Sequence, residues 1–74
     1  MPMDAPQWLR EFAAQIGTDP PSEAEIETLL ALAGVAAHAS ERTAAPITCW
    51  LTARAGLAPE RALELARELS QLSS

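Results

Sequence analysis

The sequence predicts an all-α fold, a compact bundle of four short helices in a single domain that spans residues 1–74. Proline and glycine divide the chain into four segments, and apolar residues recur in each at intervals of three and four. The sequence has no alternating run of β-branched residues and no hairpin dipeptide, so strands are not expected. A chain of 74 residues allows one small core, and we expect a stability of only a few kcal/mol.

The first helix is predicted from about Asp4 to Ile16. Asp4 and Gln7 have the spacing of a capping box, in which each side chain binds the other residue's backbone N–H. Gly17 is expected to end the helix, because glycine adopts the left-handed conformation without steric cost. The predicted apolar stripe consists of Trp8, Leu9, Phe12, Ala13 and Ile16.

The second helix is predicted from Glu23 to about Ser40. It follows an extended linker, Thr18 to Pro21, and Ser22 with Glu25 forms a second capping box. A helix that is apolar on two sides is expected to be the central one of the bundle. Its main stripe is Ile26, Leu29, Leu30, Ala33 and Ala37, and the other apolar side is Leu32, Val35 and Ala39.

The third helix is predicted from Pro46, placed at the first helical position, to about Ala55. Gly56 follows it. We expect the bulky apolar residues of this helix to point inward and its two threonines to lie on the surface. The inward residues are Ile47, Trp50 and Leu51, and the threonines are Thr48 and Thr52.

The fourth helix is predicted from Pro59 to about Leu72. Its charged residues, Arg67 among them, form a solvated face. Its inward stripe is Ala62, Leu65, Ala66 and Leu69.

The charge balance limits the partners that the chain can bind. Five Arg, no Lys and ten acidic residues give a net charge of −5, and the arginines are scattered. Neutralising phosphates takes clustered basic residues, so nucleic acid is not an expected partner. No helix has the basic polar face of a membrane-surface helix, and the longest apolar run, Leu29 to Ala37, is too short to span a bilayer. With one cysteine and no signal-peptide pattern, we expect a cytoplasmic protein.

The residue types argue against catalysis. One histidine and one cysteine are too few for a zinc site, and the three glycines are isolated, so no phosphate-binding loop is present. We therefore expect no catalytic residues, no metal and no cofactor. Cys49 is interpreted as a small core residue, although a reactive pair with His38 is formally open. Trp8 and Trp50 are expected in the core or at its rim.

The segment from Gly34 to Pro46 contains the candidate binding residues, which are His38, Glu41, Arg42 and Thr43. On a helical wheel Gly34, His38 and Glu41 fall close together and Arg42 neighbours His38 at i,i+4. Glu41, Arg42 and Thr43 lie where the helix ends and the chain turns towards Pro46, so polar side chains can converge there. A mid-helix glycine costs about 1 kcal/mol relative to alanine, so it suggests either close packing of another helix or a notch for a ligand or partner. The alternative is structural: His38 and Arg42 favour the helix C-terminus, and ion pairs of Glu41 and Arg42 fix the turn.

The stretches WLREFAAQIG and VAAHASERTAAPITCWL resemble a small actinobacterial helical domain of unknown function, and the resemblance covers nearly the whole chain. Its most specific residues are His38, Glu41, Arg42, Ala45 and Pro46. That domain is associated with, and sometimes fused to, molybdopterin-guanine dinucleotide biosynthesis proteins, and it accompanies formate dehydrogenase accessory proteins. The resemblance implies a role linked to molybdenum-cofactor enzymes. It implies no activity.

Two functional hypotheses follow. The first is a non-catalytic accessory module that binds a protein partner in molybdenum-cofactor synthesis or in a molybdenum enzyme such as formate dehydrogenase. The alternative is a small ligand-binding domain that holds an anionic group, such as a pterin or nucleotide phosphate, near His38 and Arg42. Apolar stripes on all four helices also predict a homodimer or a stable complex with another protein.

Overall fold

A computed structural model describes residues 3–73 and contains no strand within that range. The helices of the described chain are α1 (Ala5–Ile16), α2 (Glu23–Ala39), α3 (Ala44–Arg54) and α4 (Pro59–Ser73). The predicted all-α bundle of four helices is therefore confirmed. The helix bounds agree with the sequence to within two residues.

The predicted caps of α1 and α2 are present with one exception. Ser22 Oγ accepts from the Glu25 backbone N–H at 3.1 Å, and Glu25 Oε1 accepts from the Ser22 N–H at 2.7 Å, which completes the capping box of α2. Asp4 Oδ1 accepts from the Gln7 N–H at 2.9 Å. The reciprocal half of the first box was predicted wrongly: the Gln7 side chain does not accept from the Asp4 N–H, and its amide nitrogen donates to Glu11 Oε2 at 3.4 Å.

Helix α3 begins two residues earlier than predicted. Thr43 is its N-cap, so Pro46 occupies the third helical position rather than the first. Proline is tolerated there because the first N–H groups of a helix have no intrahelical acceptor. At the other end Gly56 has a φ of +70°, and the Leu57 N–H donates to the Thr52 carbonyl at 3.2 Å, the pattern of a Schellman cap.

Helix α2 lies at the centre of the bundle, as predicted, and packs against both α3 and α4. The core around it is small. Leu32, 1% exposed, is the one large side chain in the described chain that is fully buried, whereas Leu30 of the predicted main stripe is 67% exposed. The other buried residues are Ala13, Thr52 and Ala62. The radius of gyration, 13.3 Å, exceeds the value of about 11 Å for a compact domain of this length.

The predicted orientation of α3 is wrong. Ile47, Trp50 and Leu51 are all more than half exposed, whereas Thr52 is buried and Thr48 is half-buried. Apolar residues occur all round this helix, so their positions do not define its inner face. Small side chains let α3 approach α2 closely, and the Thr52 hydroxyl is satisfied by the Thr48 carbonyl at 2.9 Å.

Candidate functional site

The described chain leaves many large apolar side chains in contact with solvent. A monomeric protein rarely exposes a large contiguous apolar patch, and such patches mark sites of interaction. The exposed large apolar residues are Met3, Trp8, Phe12, Ile16, Leu30, Ile47, Trp50, Leu51, Leu57, Leu65, Leu69 and Leu72. Most of them fall on three surfaces, which are described in turn.

The first surface is the outer face of α3, defined by Ile47, Trp50 and Arg54. Ile47 and Trp50 are each 58% exposed, and the Arg54 guanidinium lies 5.1 Å from the centre of the Trp50 ring. This distance is within the range of a cation–π contact. Tryptophan and arginine together are the residue types that most often dominate the binding energy of protein interfaces. The expectation that Trp50 is a core or rim residue is therefore wrong.

The second surface is one edge of α1, defined by Trp8, Phe12 and Ile16. The Trp8 and Phe12 rings are stacked with their centres 5.0 Å apart and their planes inclined by 11°. All three side chains are at least 44% exposed, while Ala13, on the adjoining side of the helix, is buried. One edge of the amphipathic helix is thus covered, and its aromatic edge is not. Trp8 is likewise not a core residue.

The third surface is an apolar groove between α3 and α4, with α2 as its floor. It consists of two adjoining concavities of about 400 and 330 Å³ that share Thr48, Ala66 and Leu69. Leu32 forms part of the floor, and the lining contains no charged side chain. The leucines that line it and remain exposed are Leu51, Leu57, Leu65 and Leu69.

A separate, open groove of about 770 Å³ lies between the C-terminal halves of α2 and α4. His38 and Arg67 both line it, together with Gly34, Ser70 and Gln71. From the sequence, Arg67 was expected only on a solvated face. The i, i+3, i+4 spacing of residues 67, 70 and 71 indicates a shared polar side of α4, but the pairing of that side with His38 depends on how α2 and α4 pack.

The ring of His38 is oriented by the helix that carries it. Nδ1 lies 2.7 Å from the Gly34 carbonyl oxygen, one turn earlier. A carbonyl can only accept, so Nδ1 carries the proton and donates. Nε2 is then an acceptor in the neutral ring and a donor in the protonated ring. His38 therefore offers a defined polar atom to whatever enters the groove.

The other candidate residues do not join His38 in that groove. Helix α2 ends at Ala39, so Glu41 and Arg42 lie beyond it and the helical spacing that was expected to bring them beside His38 does not apply. Glu41, Arg42 and Thr43 are exposed in the turn before α3. Within residues 3–73 neither Glu41 nor Arg42 forms a salt bridge or a side-chain hydrogen bond, so the alternative in which their ion pairs fix the turn is not observed.

Gly34 does not serve close helix packing. A Cβ placed on it meets no atom within 4 Å, and its φ is not positive. Of the two explanations for this glycine, contact with another helix of the same chain is therefore wrong. The backbone at Gly34 is open towards the groove that contains His38 and Arg67.

The thiol of Cys49 is half-buried on α3, and desolvation by this burial raises its pKa above the ordinary value of 9.0. A raised pKa leaves little thiolate at neutral pH, which is the opposite of what a nucleophile or metal ligand requires. No three His, Cys, Asp or Glu side chains of the described residues are grouped as a metal site would need.

Membrane insertion finds no support among the described residues. None of the helices in that part of the chain combines the length and the apolar character needed to cross a bilayer.

Comparison with known proteins gives one match. No curated protein and no solved structure is significantly similar to the chain. A family model described as a domain of unknown function, DUF6457, matches residues 2–74. Since that match covers almost the whole sequence, the chain belongs to the DUF6457 family of domains of unknown function.

Proposed function

We propose that this protein is a non-catalytic, cytoplasmic interaction module that binds a protein partner in molybdenum-cofactor synthesis or in a molybdenum enzyme such as formate dehydrogenase. The molybdenum context comes from the resemblance of the stretch around His38, Glu41 and Arg42 to a domain that is associated with molybdopterin-guanine dinucleotide biosynthesis proteins. The observation that carries the binding role is the outer face of α3, where Trp50 is 58% exposed beneath Arg54.

The charge around α3 indicates the chemistry of the partner. Residues 42–58 contain Arg42 and Arg54 but no Asp or Glu, although the whole chain has a net charge of −5. Glu41 lies beside Arg42 in the turn before α3, so the positive part of this surface is the outer face of α3 itself, which contains Arg54 and no acidic residue. A complementary partner has an apolar pocket that admits Trp50 and carboxylates near its edge.

The turn before α3 extends this surface. Thr43 precedes Ile47 by one helical turn, and Arg42 precedes Thr43, so the candidate residues adjoin the outer face of α3 in the chain. Because Arg42 is exposed and has no partner in the described chain, its side chain is available for a carboxylate of the bound protein.

The test uses two purified partners from the same genome, a molybdopterin-guanine dinucleotide nucleotidyltransferase and a formate dehydrogenase accessory protein. Isothermal titration should detect binding to at least one of them. Trp50→Ala should weaken it about 30-fold or more, as expected for an interface anchor that contributes at least 2 kcal/mol. Arg42→Ala should weaken it less, with thermal stability unchanged to within about 0.5 kcal/mol.

The matched control is Arg10→Ala. Arg10 is also exposed and without a side-chain partner in the described chain, but it lies on α1. It should leave affinity unchanged. Absence of binding to both proteins would contradict the molybdenum context, and equal binding by wild type and Trp50→Ala would contradict the role of α3.

A second candidate function is supported by the groove that His38 and Arg67 line together. When the His38 ring is protonated, its Nε2–H is a donor, and this donor and the Arg67 guanidinium on the facing helix can together hold one anionic group, such as a pterin or nucleotide phosphate. In this arrangement Arg67 takes the role that was expected of Arg42 from the sequence.

NMR titration with GMP and with inorganic phosphate tests this candidate. Shifts of the His38 ring signals that saturate with GMP and disappear in Arg67→Ala would support it. Arg61→Ala is the control, because Arg61 lies on the same helix and pairs with Glu64 at 3.4 Å. Shifts that persist unchanged in Arg67→Ala would refute the site.

A further inference from the structure

Helices α2, α3 and α4 form an incomplete bundle. The central helix packs against α3 and against α4, and these two flanking helices leave the apolar groove open between them. Leu69 lines both of its concavities and is nevertheless 67% exposed. A fourth helix laid in this groove would complete the bundle and bury its leucines.

The chain itself contains a helix with a matching surface. Helix α1 has 12 residues, a length of about 18 Å, and α3, which forms one wall of the groove, has 11 residues, about 16.5 Å. The edge of α1 that carries Trp8, Phe12 and Ile16 is apolar and exposed. Within its own chain, α1 does not pack extensively on either wall of the groove.

From these observations we infer that the protein forms a symmetric homodimer in which the Trp8–Phe12 edge of α1 from each copy docks in the apolar groove between α3 and α4 of the other. Such an exchange is isologous, since each chain gives a helix and receives one. It is independent of the proposed function, which uses the outer face of α3.

The exposed area is sufficient for this contact. The accessible surface of the chain is 5828 Å², whereas a compact monomer of 7.9 kDa exposes about 4,400 Å². The excess of about 1,400 Å² is larger than the roughly 800 Å² that each partner buries in a stable interface. The dimer therefore leaves part of this excess surface exposed.

Charge favours the same arrangement. Two copies that each carry −5 repel one another through their charged faces, and only contacts free of charge avoid this cost. The groove has no charged lining residue, and the three residues that define the edge of α1 are apolar, with Glu11 and Gln15 beside Trp8 and Phe12. A second copy can thus dock through apolar atoms at the centre of the contact, with Glu11 at its border.

The first test is the mass in solution, measured by light scattering over a dilution series from millimolar to micromolar protein. Wild type should show twice the chain mass of 7.9 kDa at the upper end. Trp8→Glu alone and Leu69→Arg alone should each be monomeric, and both should keep their helical circular dichroism because the replaced side chains are exposed. Trp50→Ala is the control and should remain dimeric.

The decisive step is to mix the two monomeric variants. The mixture should regain the dimer mass, because one intact helix meets one intact groove and the introduced glutamate faces the introduced arginine at the other. If the mixture stays monomeric, the exchange between copies is refuted. A wild type that is monomeric at every concentration, or variants that both stay dimeric, would also overturn the inference.

A measurement without substitutions guards against variants that fail to fold. Isotope-labelled and unlabelled wild-type chains are mixed, and filtered NMR spectra should show contacts between the Trp8 indole and the Leu69 methyl groups of different chains. A dimer that lacks these contacts would refute the docking of α1. Partner binding by Trp50→Ala tests the proposed function separately, so the homodimer and the proposed function can each be refuted without the other.

Discussion

Replacing Gly34 by alanine should stabilise the protein, although the position lies in the middle of the most central helix. Gly34 is inside α2, its φ is not positive, and a Cβ built on it meets no atom within 4 Å. The methyl group therefore causes no clash and no backbone strain. What remains is the difference in helix propensity, because alanine loses less backbone entropy on folding than glycine.

The expected gain is about 0.5–1 kcal/mol in the free energy of unfolding. For a domain of this size, that gain corresponds to a rise in Tm of roughly 2–8 °C. The hydrogen bond from His38 Nδ1 to the Gly34 carbonyl uses a backbone atom and is retained. Urea unfolding followed by circular dichroism at 222 nm gives the free energy, and a thermal melt gives the Tm.

Gly17→Ala is the matched control, because the same change is made where the backbone is left-handed. Gly17 has a φ of +79° at the C-terminus of α1, so alanine there should destabilise the fold by about 1 kcal/mol. The two substitutions should therefore shift stability in opposite directions. A loss of stability in Gly34→Ala would refute the reasoning, since it would require a close neighbour at Gly34 that the single chain does not contain.

Three further predictions concern the core, a cap and the thiol. Leu32→Ala should lower the free energy of unfolding in urea by about 2–5 kcal/mol, because Leu32 is 1% exposed. Leu30→Ala, at a site 67% exposed on the same helix, should lower it by less than about 1 kcal/mol. Equal losses would contradict the small core around Leu32. Ser22→Ala should lower the free energy of unfolding by about 0.5–2 kcal/mol in the same assay, since it removes half of the capping box, whereas Ser22→Thr should keep most of this stability. No loss in Ser22→Ala would show that the cap does not contribute. The rate at which iodoacetamide alkylates Cys49 should rise through a midpoint at higher pH than that of a free cysteine peptide, because burial favours the neutral thiol and raises its pKa. A midpoint below that of the free peptide would contradict this.

The same raised pKa predicts how stability depends on pH. The folded state holds the Cys49 proton more tightly than the unfolded state, so the contribution of this thiol to stability is complete below the unfolded-state pKa. It is lost as the pH rises through the folded-state pKa.

The helices and most of their ends are local properties, and the sequence determined them. The reciprocal bonds of Ser22 and Glu25 join residues three apart, and Gly17 ends α1 through its own backbone conformation. The position of α2 at the centre of the bundle was also predictable, because a helix that is apolar on two sides needs two neighbours.

The candidate site was only partly predictable. His38 was correctly placed near Gly34, since both lie on α2 one turn apart. Glu41 and Arg42 were placed beside them by helical spacing, which does not apply because both lie beyond the end of α2 at Ala39. Arg67 belongs to another helix, and no sequence spacing relates it to His38.

Which face of each helix is buried was decided only by the tertiary structure. In α3, apolar residues occur all round the helix, so burying Trp50 and burying Thr52 are both compatible with the sequence pattern. Packing against α2 selects the face with small side chains, because close approach of two helices gains more contacts there than a bulky residue allows. As a consequence, Trp50 and Ile47 face solvent and the groove between α3 and α4 stays open. Neither feature was predictable from the sequence, because both depend on the relative positions of helices that are distant in sequence.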